Sequence, residues 1–200
     1  YERGADQYWV FEPAAPTPPS APVVLFLHGW MAMDPVIYLG WIHHLVRRGN
    51  IVIYPRYQAG LLTAPWTFVP SALLATHRAL ARLKPPHHVE PDLTRFAIVG
   101  HSAGGAMAAD IAALAADKGL PKPRAVMPVQ PGRGTRRARA TFFPPGDFGK
   151  IPADAALLVV VGEDDRVVSP DDAKEIFRGA TQVPPDRKDY LVIRTDRHGS

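Results

Sequence analysis

The chain has no cysteine, so neither a disulfide framework nor a thiolate metal site is open to it, and its redox compartment stays undetermined. Long apolar runs are missing as well. No stretch approaches the roughly 18 residues needed to span a bilayer, and no charged-then-apolar segment opens the chain as a secretion signal would. The first residue is Tyr1 rather than methionine. We therefore expect a processed or trimmed amino end, and a removed signal would slightly favour a secreted or periplasmic location. Strong charge imbalance is also lacking: 23 Lys and Arg against 19 Asp and Glu give a net charge of +4. One run, "GRGTRRARA", does concentrate cations at Arg133, Arg136, Arg137 and Arg139. It comes without aromatic interleaving or a recognisable binding module, which points to a solvated loop and away from nucleic acid.

What is present suits one globular domain, 46% hydrophobic over 200 residues and without internal repeats. Apolar, β-branched runs occur at 7–11, 22–29, 50–57, 95–100, 124–130, 156–162 and 189–195. Most lack alternation, as strands buried on both faces do. Helical patterns lie between them. Asp34 and Pro35 cap and open a helix whose apolar face holds Ile37, Trp41, Ile42 and Leu45, ending at Gly49. A second helix is predicted from about Pro70 to Lys84, and a third from about Ala103 to Lys118, stopping at Gly119. Ser169, Pro170 and Asp172 form a capping-box-like start for a fourth, closed at Gly179. Such alternation predicts an α/β domain over residues 1–200, with a mostly parallel central sheet and helices on both faces. Its chemistry belongs at the carboxyl ends of the strands. The proline-rich segment 12–22 reads as a stiff surface connection.

The segment "AIVGHSAGGAMAAD" carries the chemistry. Gly100-His101-Ser102-Ala103-Gly104 fits G-x-S-x-G between a strand pattern and a helix pattern, the setting of a nucleophile elbow. There the serine stands proud of a strained turn, and small neighbours are needed because strand and helix pass close together. A serine hydroxyl is a weak nucleophile, so it needs a base and the base needs an orienting carboxylate. On such a scaffold the order is serine, acid, histidine. "VVVGEDDRVVSP" offers Glu163, Asp164 and Asp165. Asp165 is preferred over Asp164 because it lies far enough past the strand to turn back across the sheet top, with Val167 and Val168 to anchor the loop. Of eight histidines, only His198 follows both serine and acid. An oxyanion also needs donors. Ala103 N–H, directly after the nucleophile, is one. Trp30 N–H, in the loop after "VVLFLHGW", is the other, with Met31 as second choice. Met31, Trp66, His101, Phe142, Phe143 and Val168 are candidate pocket residues. No metal or organic cofactor is called for.

With "LHGW", "GHSAGG", "GEDDRVV" and the terminal "RHGS" in this order, the sequence resembles the α/β-hydrolase superfamily over essentially its whole length. Within it the likeness is to bacterial serine esterases and lipases, with some likeness to dienelactone-hydrolase-type domains. The resemblance implies that the spacing of Gly162, Asp165 and Val168 marks the acid. It also implies a serine carboxylic ester hydrolase acting on a small-molecule or lipid-like ester through an acyl-enzyme. A peptidase or acyltransferase with the same triad, and a non-catalytic binding protein on this fold, are the alternatives. Relatives continue past the histidine into a last helix, so the sequence is expected to be a fragment lacking that helix. About twenty residues separate "VMPVQPG" from "ALLVVVG", too few for a large cap domain.

Overall fold

The structure is a computed structural model that describes residues 7–134 and 143–194. Among these described residues, seven strands form one sheet: β1 (Gln7–Phe11), β2 (Ser20–Leu27), β3 (Ile51–Arg56), β4 (Glu90–His101), β5 (Pro123–Val129), β6 (Ala156–Gly162) and β7 (Lys188–Ile193). Their order is β1-β3-β2-β4-β5-β6-β7. β1 runs antiparallel to β3, and every other neighbouring pair is parallel. Four α-helices connect them: α1 (Leu39–Arg47), α2 (Phe68–Arg82), α3 (Ala103–Leu114) and α4 (Pro170–Gly179). The predicted α/β architecture is the one observed, with helices on both faces.

Burial explains why the strand runs lack alternation. Residues 51–55 of β3 are buried without a break, because the two faces of the sheet meet two different cores. Val23, Leu25, Ile53, Phe96, Ile98 and Val159 pack with residues of α2, α3 and α4 in the larger core. Val24, Phe26, Val52, Tyr54 and Val99 pack with Ile42 of α1 in the smaller one. α3 lies fully buried from Ala103 to Ala113. Its run of Ala and Gly lets it approach the sheet closely, and at Gly104 a Cβ would come within 2.2 Å of the Leu27 carbonyl oxygen. On β7, Tyr190 packs against Phe177 of α4. Leu191 and Ile193, pointing the other way, remain largely exposed.

Several sequence expectations shift in detail. β2 starts at Ser20, because 20–22 pair with the early part of β4, which itself begins at Glu90. Asp34 Oδ1 accepts from Val36 N at 2.9 Å as a cap should. The first turn it caps is a 3-10 turn, Pro35–Tyr38, whose tighter winding rotates Ile37 out to 62% exposure. Helix α3 ends at Leu114, and turns carry the chain to Gly119 at φ +64. Ser169 Oγ does cap α4, accepting from Asp171 N. Asp172 does not close the box, because its carboxylate faces Arg133.

That last contact corrects the reading of Arg133 as part of a solvated run. Arg133 is 1% exposed, with Asp110 Oδ1 at 2.7 Å and Asp172 Oδ1 at 3.2 Å, and its guanidinium lies over Phe143 and Phe148. Two carboxylates and two ring faces compensate a cation that would be costly to bury alone. Arg136, Arg137 and Arg139 lie outside the described residues.

Candidate active site

The chain passes from β2 to β3 on one side, then crosses back over β2 to reach β4 on the other. The carboxyl ends of β2 and β4 therefore flank the point where the winding direction reverses, which is where parallel α/β sheets open a crevice. Ser102 sits there, between the last residue of β4 and the first of α3, at φ +55 and ψ −122. A side chain rarely takes that backbone, and the strain is held by the surroundings. Ser102 N donates to the Val129 carbonyl at 3.0 Å, and the Ser102 carbonyl accepts from Ala106 N and Gly132 N, each at 3.1 Å. The glycines of the motif are sterically required: a Cβ on Gly100 would lie 2.0 Å from the Gly104 carbonyl oxygen.

The loop after β2 comes up against the serine. A Cβ on Gly29 would lie 3.4 Å from Ser102 Cβ. Gly29 opens a turn closed by Ala32 N donating to Gly29 O at 3.1 Å, with Met31 in its third position at φ +64, as a type II turn demands. Met31 N–H donates to Gln58 Oε1 at 2.9 Å, so the second-choice oxyanion amide is already committed. Trp30 occupies the turn's second position, and its ring meets Phe68 at 5.4 Å. Ala103, as the first residue of α3, has an amide with no intrahelical acceptor. Beneath the turn, His28 stacks on Tyr57 at 3.9 Å, and Tyr57 O–H donates to the His28 carbonyl. Burial lowers the His28 pKa from 6.5 to about 4, so the ring is neutral.

The acidic loop after β6 separates its three carboxylates. Glu163 and Asp164 are exposed. Asp165 turns back, its Oδ1 accepting from Val167 N at 2.7 Å and Val168 N at 3.0 Å. Val168 is buried and anchors the loop against Gly132, whereas the Val167 side chain is exposed. Asp165 and Val168 line one small cleft together with Gln130 and Pro131. Glu163 N donates to the carbonyl of Ile193 at 2.9 Å, tying the end of β7 to the start of this loop.

His101 is half-buried beside the elbow. Its pKa is lowered by burial, against which hydrogen bonding to Gln130 and the charge of Asp165 pull it upward. Two residues that the sequence did not single out join it. Tyr38 Oη lies 2.8 Å from His101 Nδ1 and 3.0 Å from Gly29 N. Gln130 sits at φ +42, just past β5. A left-handed backbone at a non-glycine residue leaves no trace in sequence pattern, so nothing there could have marked Gln130.

Of the predicted site residues, the structure gathers Ser102, Ala103, Trp30, Met31, His101, Asp165 and Val168 at one edge of the sheet. Phe143 is tucked into the larger core beside Phe68. Trp66 stands 73% exposed after β3. His198 and Phe142 lie outside the described residues.

The sequence profile of the chlorophyllase family matches residues 9–145, which takes in the Gly29 turn and Ser102 but ends before Asp165. No curated protein matches the chain. Solved structures do. A carboxyl esterase from the mycorrhizal fungus Tuber melanosporum aligns with TM-score 0.70 and 18% identity over 94% of this chain and 70% of its own. A thermostable esterase from Pseudomonas putida gives 0.66 and 22%, over 94% and 67%. A fungal esterase from Rhizomucor miehei gives 0.65 and 17%, over 94% and 68%. The fold they share with this chain is the α/β-hydrolase fold.

Proposed function

The chain belongs to the chlorophyllase family and is a carboxylesterase-type hydrolase, and from that premise we propose that it cleaves carboxylic esters through an acyl-enzyme formed on Ser102. Ser102 Oγ attacks the ester carbonyl carbon while its proton passes to His198. The carbonyl oxygen becomes an oxyanion that accepts from the amides of Trp30 and Ala103. Collapse expels the alcohol, which takes the proton from His198. Water then attacks the acyl-serine with His198 again as base, releasing the acid and restoring the hydroxyl. Asp165 orients the imidazole throughout.

The observation that carries this reading is the left-handed backbone of Ser102, stored strain at a serine that heads a buried helix with a glycine turn against its side chain. The acid assignment is supported by the way Asp165, alone of the three carboxylates in its loop, turns inward. For His198, the support is the chain path. β7 ends at Ile193, pinned to the acid loop, and the five residues from there to His198 reach at most about 18 Å. Small-molecule or lipid-like esters are the expected substrates. The esterase character of the similar structures favours them.

The test is hydrolysis of p-nitrophenyl esters of graded acyl length, together with labelling by a fluorophosphonate probe. Turnover and labelling are expected from the wild-type chain and neither from Ser102→Ala. Esterase activity that survives Ser102→Ala would overturn the assignment.

A further inference from the structure

Three non-glycine residues among those described have positive φ, Met31, Ser102 and Gln130, and all three lie at this edge of the sheet. One hydrogen-bonded chain of side chains joins the segments that carry them. Gly29 N–H donates to Tyr38 Oη at 3.0 Å. That leaves the phenol proton for His101 Nδ1, 2.8 Å away. Burial raises the Tyr38 pKa, so the phenol keeps this proton. With Nδ1 accepting, the imidazole proton sits on Nε2, and hydrogen bonding to the Gln130 side chain raises the His101 pKa against the effect of burial. Gln130 Nε2 in turn packs against Gly162, where a Cβ would come within 2.7 Å, at the head of the acid loop.

The links from Gly29 to Tyr38 and from Tyr38 to His101 are directional, so the chain has a mechanical consequence. The turn that presents Trp30 N–H is held at its first residue, Gly29, by Tyr38, and Tyr38 is held by the residue immediately before the nucleophile. The distance between the two oxyanion amides is thereby set through side chains as well as through backbone. We propose that Tyr38 and His101 are positioning residues for ester hydrolysis, fixing the oxyanion turn at Gly29 and Trp30 against the Ser102 elbow, with Gln130 extending the link to the acid loop. The proposal rests on the reading of Ser102 as nucleophile and adds to it two groups that touch no reacting atom.

Tyr38→Phe is a clean probe, because the ring packs on Phe26 at 5.1 Å and that packing survives loss of the hydroxyl. The variant is expected to lose about 10- to 100-fold in kcat on a short p-nitrophenyl ester, with KM within about twofold, as a misplaced oxyanion donor should. Its affinity for an alkylboronic acid, which forms a tetrahedral anion on the serine, should fall by the same factor. A purely structural role would lower the active fraction measured by fluorophosphonate titration but leave boronate affinity per active site unchanged. His101→Leu cuts the same chain, so the double variant should be no slower than the worse single one. Tyr38→Phe with wild-type kcat and boronate affinity, or additive losses in the double variant, overturns the proposal. If Ser102→Ala is inactive while Tyr38→Phe is unaffected, only this inference falls. If Ser102→Ala retains activity, the underlying reading falls with it.

Discussion

Helix α3 carries two polar clusters that solve the problem of burial in opposite ways. At its amino end, beside Ser102 and Gln130 on their strained backbone, His101 and Tyr38 share a neutral hydrogen bond. Farther along, Asp110 meets Arg133 and Asp172 in a charged cluster. Around the charged cluster, the groups close in on one another. Arg133 N also donates to Asp172 Oδ2 at 2.8 Å, and Gly146 N donates to Asp110 Oδ1 at 2.8 Å. The contrast shows where each part of the molecule keeps its free energy. Reactivity needs a group poised in a costly conformation, and a neutral imidazole and phenol can orient it without competing for the proton being moved. Stability needs the reverse, charges whose attraction is spent on one another.

Breaking each cluster should therefore damage a different property. Ser102→Ala is expected to cut ester turnover by at least about 10⁴-fold while shifting stability by less than about 0.5 kcal/mol, measured by p-nitrophenyl acetate kinetics and urea unfolding. Arg133→Ala should do the opposite, costing about 3–5 kcal/mol in the urea experiment because it strands two carboxylates. A loss below about 1 kcal/mol would show that the charged cluster is not a stabilising element.

Acid should sharpen the comparison through His28. Its folded pKa lies near 4 against 6.5 for the free side chain. As pH falls below 6.5 the unfolded chain takes up a proton that the folded chain refuses until about 4. The contribution is thus complete above pH 6.5 and shrinks by up to about 3 kcal/mol between those values. Urea midpoints across pH 4 to 7.5 should follow that slope, and a His28→Gln variant should flatten it. Tyr57→Phe, which removes the donor to the His28 carbonyl, should cost about 1 kcal/mol with little change in slope. The smallest effect belongs to Leu62, 97% exposed on the loop after β3. Leu62→Ser should leave unfolding within about 0.5 kcal/mol of wild type, as a control for both clusters.

The fold was largely legible. Strands buried on both faces write themselves as unbroken apolar runs, and the elbow writes itself as small residues around a serine, because strand and helix cannot pass otherwise. The acidic turn after β6 was legible as a loop past a strand end, though not which of its carboxylates turns back. Arg133 was not: sequence placed it among exposed arginines, and only the approach of α3 and α4 supplies Asp110 and Asp172. Phe143 and Trp66 show the same limit from the apolar side. Both are large aromatics near a predicted site, yet one is drawn into the core and the other left in solvent.

Local covalent chemistry and pattern thus determined that the chain folds as an α/β sheet, where its serine elbow lies and in what order acid and base candidates follow. Tertiary structure decided which of three carboxylates turns inward, that Met31 N–H is spent on Gln58, and that Tyr38 and Gln130 belong to the site at all. The physical reason is range. Steric demands between chain neighbours are recorded in residue size, whereas a hydrogen bond between residues 63 positions apart, as between Tyr38 and His101, exists only once the sheet has brought β2 and β4 side by side.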